Sequence, residues 1–248
     1  MSNESCIKFV FCFDSNYINF AKIAIKSLLR KAKRDCFFYL IAAECEDEQL
    51  EEITSLIHAF DFRYKIFHVD YSNLSFCKEM AHLKMPTYLR LLIPSLVQED
   101  RIIYIDCDTY INDDLSDLYV LNLEGKEIGV ILDEHIEKDE YFNAGIILWD
   151  LKILDRASFL ENCRKIYQEK ESELIYGDQC ILNYFYSGKK KIISSDWNEQ
   201  VLADCVYYPV LEYFISNGRK IIHFAGPVKP WECEFGSAGW KFWQKYMV

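Results

Sequence analysis

The sequence predicts an α/β fold, one domain built around a mostly parallel central sheet flanked by helices. Three observations carry the prediction. Short apolar runs alternate along the chain with longer stretches of helical periodicity, as strands joined through helices do. Several runs, such as Ile102-Ile103-Tyr104-Ile105, are apolar without alternation, which marks strands covered on both faces. Polar residues follow three of the runs directly, at Asp14, Asp106 and His223, where an open α/β sheet carries its ligands.

In chain order, residues 7–13 read as a buried strand stopped by the polar turn Asp14-Ser15-Asn16, and residues 17–30 follow with a helical pattern. Residues 37–43 are a second strand, 47–60 a helix with a solvated acidic face, and 64–69 a third strand. A short helix over 87–96 ends near Pro94, and strand 101–105 runs into Asp106-Cys107-Asp108. Beyond it the pattern predicts strands at 128–132 and 145–149, helices at 158–170 and 178–187, and strands near Ile192 and over 221–224. No repeat, low-complexity stretch or linker interrupts the chain, so residues 1–248 read as a single domain. Its last part, 232–248, is an aromatic tail whose Trp240, Phe242, Trp243 and Tyr246 are expected to cap the core. His58 and His68, each beside apolar residues, are expected to be satisfied core groups, and Lys189-Lys190-Lys191 a solvated lead-in to a strand.

Charge and cysteines narrow the partners. Lys plus Arg number 28 against 39 Asp plus Glu, a net charge of −11 that repels polyanions and argues against nucleic acid. A metal ion and a few local cations can still neutralise phosphate in one pocket. The 10 cysteines are scattered without a C-x-x-C pair, and many sit in apolar runs such as Phe11-Cys12-Phe13, where a free thiol is a small hydrophobe. A reducing cytoplasm is the compartment this implies. The first residues lack a basic region and no apolar run reaches membrane-span length, so membrane contact is expected to be peripheral at most, at the inner face.

Asp106 and Asp108, at i and i+2, lie on one side of an extended segment and can share a hard cation, which can in turn bridge a diphosphate. Asp-x-Asp is common in turns, and an isolated match would read as one; the buried strand before it, Asp113 and Asp114 only after an intervening turn, and a histidine at another strand end favour a site. His223 follows Lys220-Ile221-Ile222, and the turn after it holds Gly226 and Lys229, which suit close backbone approach and a point charge on phosphate. Two carboxylates and one imidazole suit Mn2+ better than Ca2+, with Mg2+ the alternative.

Six segments in order carry a resemblance. They are Phe13-Asp14-Ser15-Asn16-Tyr17, Tyr88-Leu89-Arg90-Leu91, Tyr104-Ile105-Asp106-Cys107-Asp108, Phe142-Asn143-Ala144-Gly145, Gly177-Asp178-Gln179, and His223-Phe224-Ala225-Gly226-Pro227-Val228-Lys229-Pro230-Trp231. With them nearly the whole chain resembles the family 8 retaining glycosyltransferases of GT-A fold, the group of lipopolysaccharide glucosyl- and galactosyltransferases and glycogenins. The resemblance implies that Asp14, Asn16 and Tyr17 hold uracil and ribose, and that Asp106, Asp108 and His223 bind Mn2+ against the diphosphate. It further implies that Gly226 and Lys229 contact phosphate, that Cys107 lies with the nucleotide-binding residues, and that His82 reaches the diphosphate. Arg90, Asn143, Asp178 and Gln179 would surround the donor sugar, and Asp178 is also expected to cap the helix it begins.

The implied function is transfer of glucose or galactose from its UDP-sugar to a carbohydrate acceptor, an envelope glycan or a glycoprotein glycan, with an α-linkage formed. Retention by double displacement needs a nucleophile under the anomeric carbon, and the position offers Gln179, a poor one. Front-side attack through an oxocarbenium-like ion pair is therefore preferred, with Asp178 as covalent nucleophile the rival. Two other readings remain. A nucleotidyltransferase or sugar-nucleotide hydrolase is one, although the former would carry a Gly-rich basic loop after its first strand, and Asp14-Ser15-Asn16-Tyr17 is acidic without glycine. A catalytically silent UDP-sugar-binding protein is the other, and the intact Asp106, Asp108, His223 and Lys229 count against it.

Overall fold

The computed structural model describes residues 6–79, 84–203 and 208–247. The first strand, β1 (Ile7–Asp14), is buried along its whole length. Even Lys8 is buried, its ammonium reaching back to the carbonyl of Cys6 at 3.0 Å. Helix α1 (Ile18–Leu29) covers it with Ala21, Ala24, Ile25 and Leu28, and β2 (Cys36–Ala43) pairs parallel beside it. Helix α2 (Asp47–His58) opens with the Gln49 side chain accepting from the Glu46 amide at 3.0 Å, and β3 (Arg63–Val69) forms an open edge.

The segment expected as one helix over 87–96 is two pieces, a 3-10 helix at Met85–Leu92 and a single turn, α3 (Ile93–Leu96). Proline explains the break. Pro94 has no N–H for the carbonyl of Arg90, which accepts instead from Ile93 in the tighter pattern. There follow β4 (Arg101–Ile105), β5 (Thr109–Ile111), α4 (Ser116–Tyr119), β6 (Ile128–Leu132) and β7 (Phe142–Asp150). The chain continues through α5 (Arg156–Lys170), α6 (Asp178–Phe185), β8 (Lys190–Ile192), β9 (Glu199–Gln200), α7 (Tyr208–Ser216), β10 (Ile221–His223) and α8 (Ala238–Phe242).

The large sheet has the order β3-β2-β1-β4-β7-β6-β8. It is mostly parallel, with β7 antiparallel to both of its neighbours. Side chains alternate between its two faces: Phe9, Phe11 and Phe13 pack on one with α1 and α2, while Val10 and Cys12 pack on the other with Tyr88, Leu91 and Trp149. A second sheet, β5-β10-β9, carries its own cluster of Tyr110, Leu211, Phe224, Phe242 and Met247. The aromatic tail is part of that cluster, with Trp243 and Tyr246 against it; Trp240 lies further out beside Phe235.

Two expectations are corrected. Asp14 and Asp106 end adjacent strands of the large sheet, but His223 ends β10 of the small one and comes in from across. His58 and His68 are exposed rather than core groups. His58 lies off the Leu50, Ile53, Thr54 and Ile57 face of α2, and His68 sits on the edge strand, 3.7 Å from the carboxylate of Asp47. The lysine run is only partly the solvated lead-in expected: Lys189 precedes β8 and is exposed, whereas Lys190 and Lys191 belong to the strand and are largely covered, each of the three beside a glutamate. Among the described residues Cys6, Cys12, Cys36, Cys45, Cys77, Cys107, Cys163 and Cys180 form no disulfide, and no helix is long and apolar enough to cross a membrane.

Candidate active site where the two sheets meet

Register brings the acidic pair and the histidine together. Strand β5 starts directly after Asp108, and β10 runs antiparallel to it so that His223 pairs with Thr109 and the Phe224 amide donates to the carbonyl of Asp108 at 3.0 Å. His223 Nε2 then lies 3.3 Å from Asp108 Oδ1 and 3.9 Å from Asp106 Oδ2. One ligand atom from each of the three lies within 4.8 Å of the others, a donor set of two carboxylates and an imidazole that fits Mn2+ or Mg2+. The ring reaches this place because residue 145 is glycine: a Cβ there would stand 2.2 Å from His223 Cε1.

Charged groups flank the trio. Lys229 Nζ lies 2.6 Å from Asp108 Oδ2 and 2.8 Å from the carbonyl of Phe224. Burial works to raise the Asp108 pKa, but Lys229 and His223 outweigh it and hold the carboxyl well below the usual range. Asp106 is raised, because burial and the Asp108 charge together exceed the help from Arg90 and His223. Tyr104 donates its hydroxyl to Asp106.

Arg90 is no surface cation. Its guanidinium is buried, with Nη2 3.1 Å from Asp106 Oδ1, Nε 2.7 Å from Asp178 Oδ2, Nη1 donating to the carbonyl of Ala144, and the Tyr104 ring beneath it at 4.9 Å. Burial disfavours the cation, yet Asp106 and Asp178 more than offset this and raise its pKa. One cation shared by two buried carboxylates leaves the second undercompensated. Burial, with the repulsion of Asp106, accordingly raises Asp178 to about 7.

That shift makes a prediction. Between the ordinary aspartate value of about 3.9 and the folded value, the native chain holds a proton that the unfolded chain has released, so stability falls as pH rises through this window. In chelator-treated protein, urea unfolding should show wild type losing on the order of a few kcal/mol from pH 5 to pH 8 relative to Asp178→Asn. Parallel pH slopes for the two proteins would refute it.

Asp178 is the first residue of α6, and the cap position belongs to Gly177, whose φ of 53° favours glycine. Asp178 is therefore not the cap residue itself; its carboxylate faces Arg90, and the amides of Asp178 and Gln179 at the helix start also favour its ionised form. Gln179 is held at both ends, Oε1 accepting from the Ala144 amide at 3.0 Å and Nε2 donating to Asp133 Oδ2 at 3.0 Å. Buried Asn143 accepts from the Gly145 amide at 2.9 Å and donates to Asp133 Oδ2 at 3.3 Å.

At the end of β1, buried Asp14 accepts from the Tyr17 amide at 2.9 Å and the Asn16 amide at 3.1 Å, with its other oxygen on Asn16 Nδ2 at 2.9 Å. The carboxylate shapes the loop that presents exposed Asn16 and Tyr17. Tyr17 stands edge-on to Phe20 and Trp231 rather than packing inside. Cys107 turns its thiol to the carbonyl of Cys12 at 3.4 Å within the core, so its side chain is not a ligand group. Gly226 sits close over Leu202, where a Cβ would come within 2.8 Å. His82 lies outside the described residues.

Two site residues escape the sequence reading. Asp133 follows β6 directly and obeys the same strand-end rule that marks Asp14 and Asp106. Asn198, buried between Asn143 and His223, sits in an irregular stretch with no periodic signal.

Comparisons with known proteins agree with this architecture. The chain is 24% identical over 225 residues to the glycosyltransferase GlyF of Streptococcus pneumoniae serotype 4, covering 90% of this chain and 56% of that one. It is 23% identical over 252 residues to the lipopolysaccharide 1,2-glucosyltransferase of Escherichia coli K12, covering 93% and 74%. The chain thus spans only a little over half the length of the first of these relatives. Among solved structures it matches the galactosyltransferase LgtC in complex with donor and acceptor sugar analogues, with a TM-score of 0.81, 21% identity, and coverage of 94% of this chain and 92% of that one. The architecture is therefore the GT-A fold. The sequence pattern of glycosyl transferase family 8 matches residues 8–234, and with most of its length so matched the chain belongs to that family.

Proposed function

We propose that this chain is a metal-dependent retaining glycosyltransferase that moves glucose or galactose from a UDP-sugar to a carbohydrate acceptor, forming an α-linkage, with residues 1–248 acting as one catalytic domain. The observation that carries this reading is the metal-ligand trio Asp106, Asp108 and His223 set between Lys229 on one side and the Arg90–Asp178 pair on the other. The printed names of the relatives, a lipopolysaccharide glucosyltransferase and a galactosyltransferase with donor and acceptor analogues, support hexosyl transfer to a glycan. An envelope glycan is the acceptor we favour, reached from the cytoplasm.

When bound, Mn2+ supplies Lewis-acid neutralisation of the charge that develops on the departing diphosphate. Asp106, Asp108 and His223 would hold it, and Lys229 adds a positive charge beside Asp108 for the same purpose. Asp14 fixes the loop that offers Asn16 and Tyr17 to the uridine. Arg90 ties Asp178 in place, which suits orienting sugar hydroxyls better than attacking carbon, since a buried carboxyl with a pKa near 7 is half-protonated at neutral pH. Gln179, pinned to Asp133 and Ala144, offers a fixed amide dipole to the developing oxocarbenium. The C1–O bond to phosphate breaks, the acceptor oxygen attacks from the same face, and its proton passes to the leaving phosphate oxygen.

The test is a UDP-release screen over UDP-sugars with Mn2+, followed by the anomeric coupling of the product and calorimetry of UDP against ADP and GDP. An α-linked product and clear preference for UDP are expected. A β-linkage would discard retention, because it requires a general base opposite the leaving group. Equal nucleotide affinities would remove the roles of Asn16 and Tyr17.

A further inference from the structure

The orientation of His223 can be traced to a main-chain amide. The N–H of Gly145 can only donate, and it meets a side-chain atom of Asn143 at 2.9 Å, so that atom is the carbonyl oxygen. The same oxygen lies 3.0 Å from the Asn198 side chain, so the Asn198 atom facing it is the amide nitrogen. The remaining atom of Asn198, its oxygen, then faces His223 Nδ1 at 2.9 Å. An acceptor there requires the hydrogen of the neutral ring to sit on Nδ1. The far end of Asn143 agrees, since its nitrogen faces the acceptor-only carboxylate of Asp133.

We infer that Asn143 and Asn198 form a positioning relay that locks neutral His223 in the Nδ1–H tautomer and so presents the Nε2 lone pair to the space shared by Asp106 and Asp108. Asn198 is 1% exposed and His223 3%, which keeps water from substituting for either partner. Flipping either amide would set oxygen against oxygen or leave a buried donor unpaired, so the Gly145 amide fixes the chain of three in one direction. An imidazole held this way is a better-oriented ligand than a free one, because the tautomer and ring plane are chosen before the cation arrives.

The purpose of the relay rests on the metal reading above, but its test does not. Nitrogen-15 spectra of metal-free protein, at a pH where the ring is neutral, should give His223 a protonated-type Nδ1 and a lone-pair-type Nε2. Asn198→Leu removes the acceptor on the same branched skeleton; it should mix the tautomers and weaken Mn2+ binding about ten- to hundredfold in a titration with the metal alone. Asn198→Asp keeps an acceptor toward Nδ1 but sets its second oxygen against that of Asn143, so it should keep the tautomer and lose clearly less affinity than the Leu variant. An Nε2–H tautomer in wild type overturns the inference whatever the variants do. So does a folded Asn198→Leu that binds Mn2+ like wild type, or equal losses in Leu and Asp variants. Should the Leu variant not fold, the wild-type spectrum and the Asp variant decide. Wild type that binds no Mn2+ would defeat the metal reading, while the ring's shifts would still settle the relay.

Discussion

Asp108→Ala should lower turnover at least about a thousandfold, because a bound cation contributes several kcal/mol of charge stabilisation and each factor of ten in rate is worth about 1.4 kcal/mol. The position is chosen over Asp106 for a geometric reason. Asp108 alone touches both His223 and Lys229, and Asp106 has Tyr104 and Arg90 to occupy it as well. Its depressed pKa means it stays ionised through the physiological range, so the loss should be the same at pH 6 and pH 8. Excess chelator should silence wild type to a similar level and do little more to the variant. Full activity in chelator, or in Asp108→Ala, would end the metal assignment for all three ligands.

Gly145→Ala should be nearly as damaging without touching any charge. The added methyl would stand 2.2 Å from His223 Cε1 and 2.7 Å from Nδ1, closer than any real contact, and the ring has no free space, being held by Asn198 on its other side. The φ of Gly145 does not lie in the left-handed region, so alanine meets no backbone strain and the effect is the collision alone. Overpacking of this kind costs about 1–3 kcal/mol of stability, and displacing the imidazole should weaken Mn2+ binding and turnover by about a hundredfold. Thermal unfolding, a metal titration and the UDP-release rate measure the three effects. A variant with unchanged metal affinity would mean the ring is not a ligand in this position.

Much of this site is legible in the residues before any coordinates. Strands β1, β2, β4 and β6 show because burial on both faces leaves them apolar but for Lys8 and Arg101 near their starts, and Asp14 and Asp106 show because they end such runs. The same rule marks Asp133, which follows the last residue of β6. Strands β5 and β9, three and two residues long, carry too little pattern to be seen, and with them goes the small sheet that explains how His223 meets the acidic pair. Arg90 is ambiguous in the sequence because only a tertiary neighbour tells a buried guanidinium from a solvated one. Asn198 has no local signature at all, since its meaning lies in Asn143, 55 residues away. Nor does periodicity say that β7 runs against its neighbours, which places the start of that strand, Asn143 to Gly145, at the ligand edge.

The β5–β10 pairing also bears on how the molecule is made. Ile111 lies opposite Ile221 in the ladder, so the strand that follows the acidic pair must wait through more than a hundred residues of synthesis for its partner. Domains generally begin to fold from the N-terminal side during translation, and closing so long a loop is entropically unfavourable until the final contacts form. On the ribosome, then, the large sheet can collapse while β5 still shows an open edge and the two aspartates lack their histidine. On the metal reading proposed above, the three-residue ligand set is complete only at the last stage of maturation.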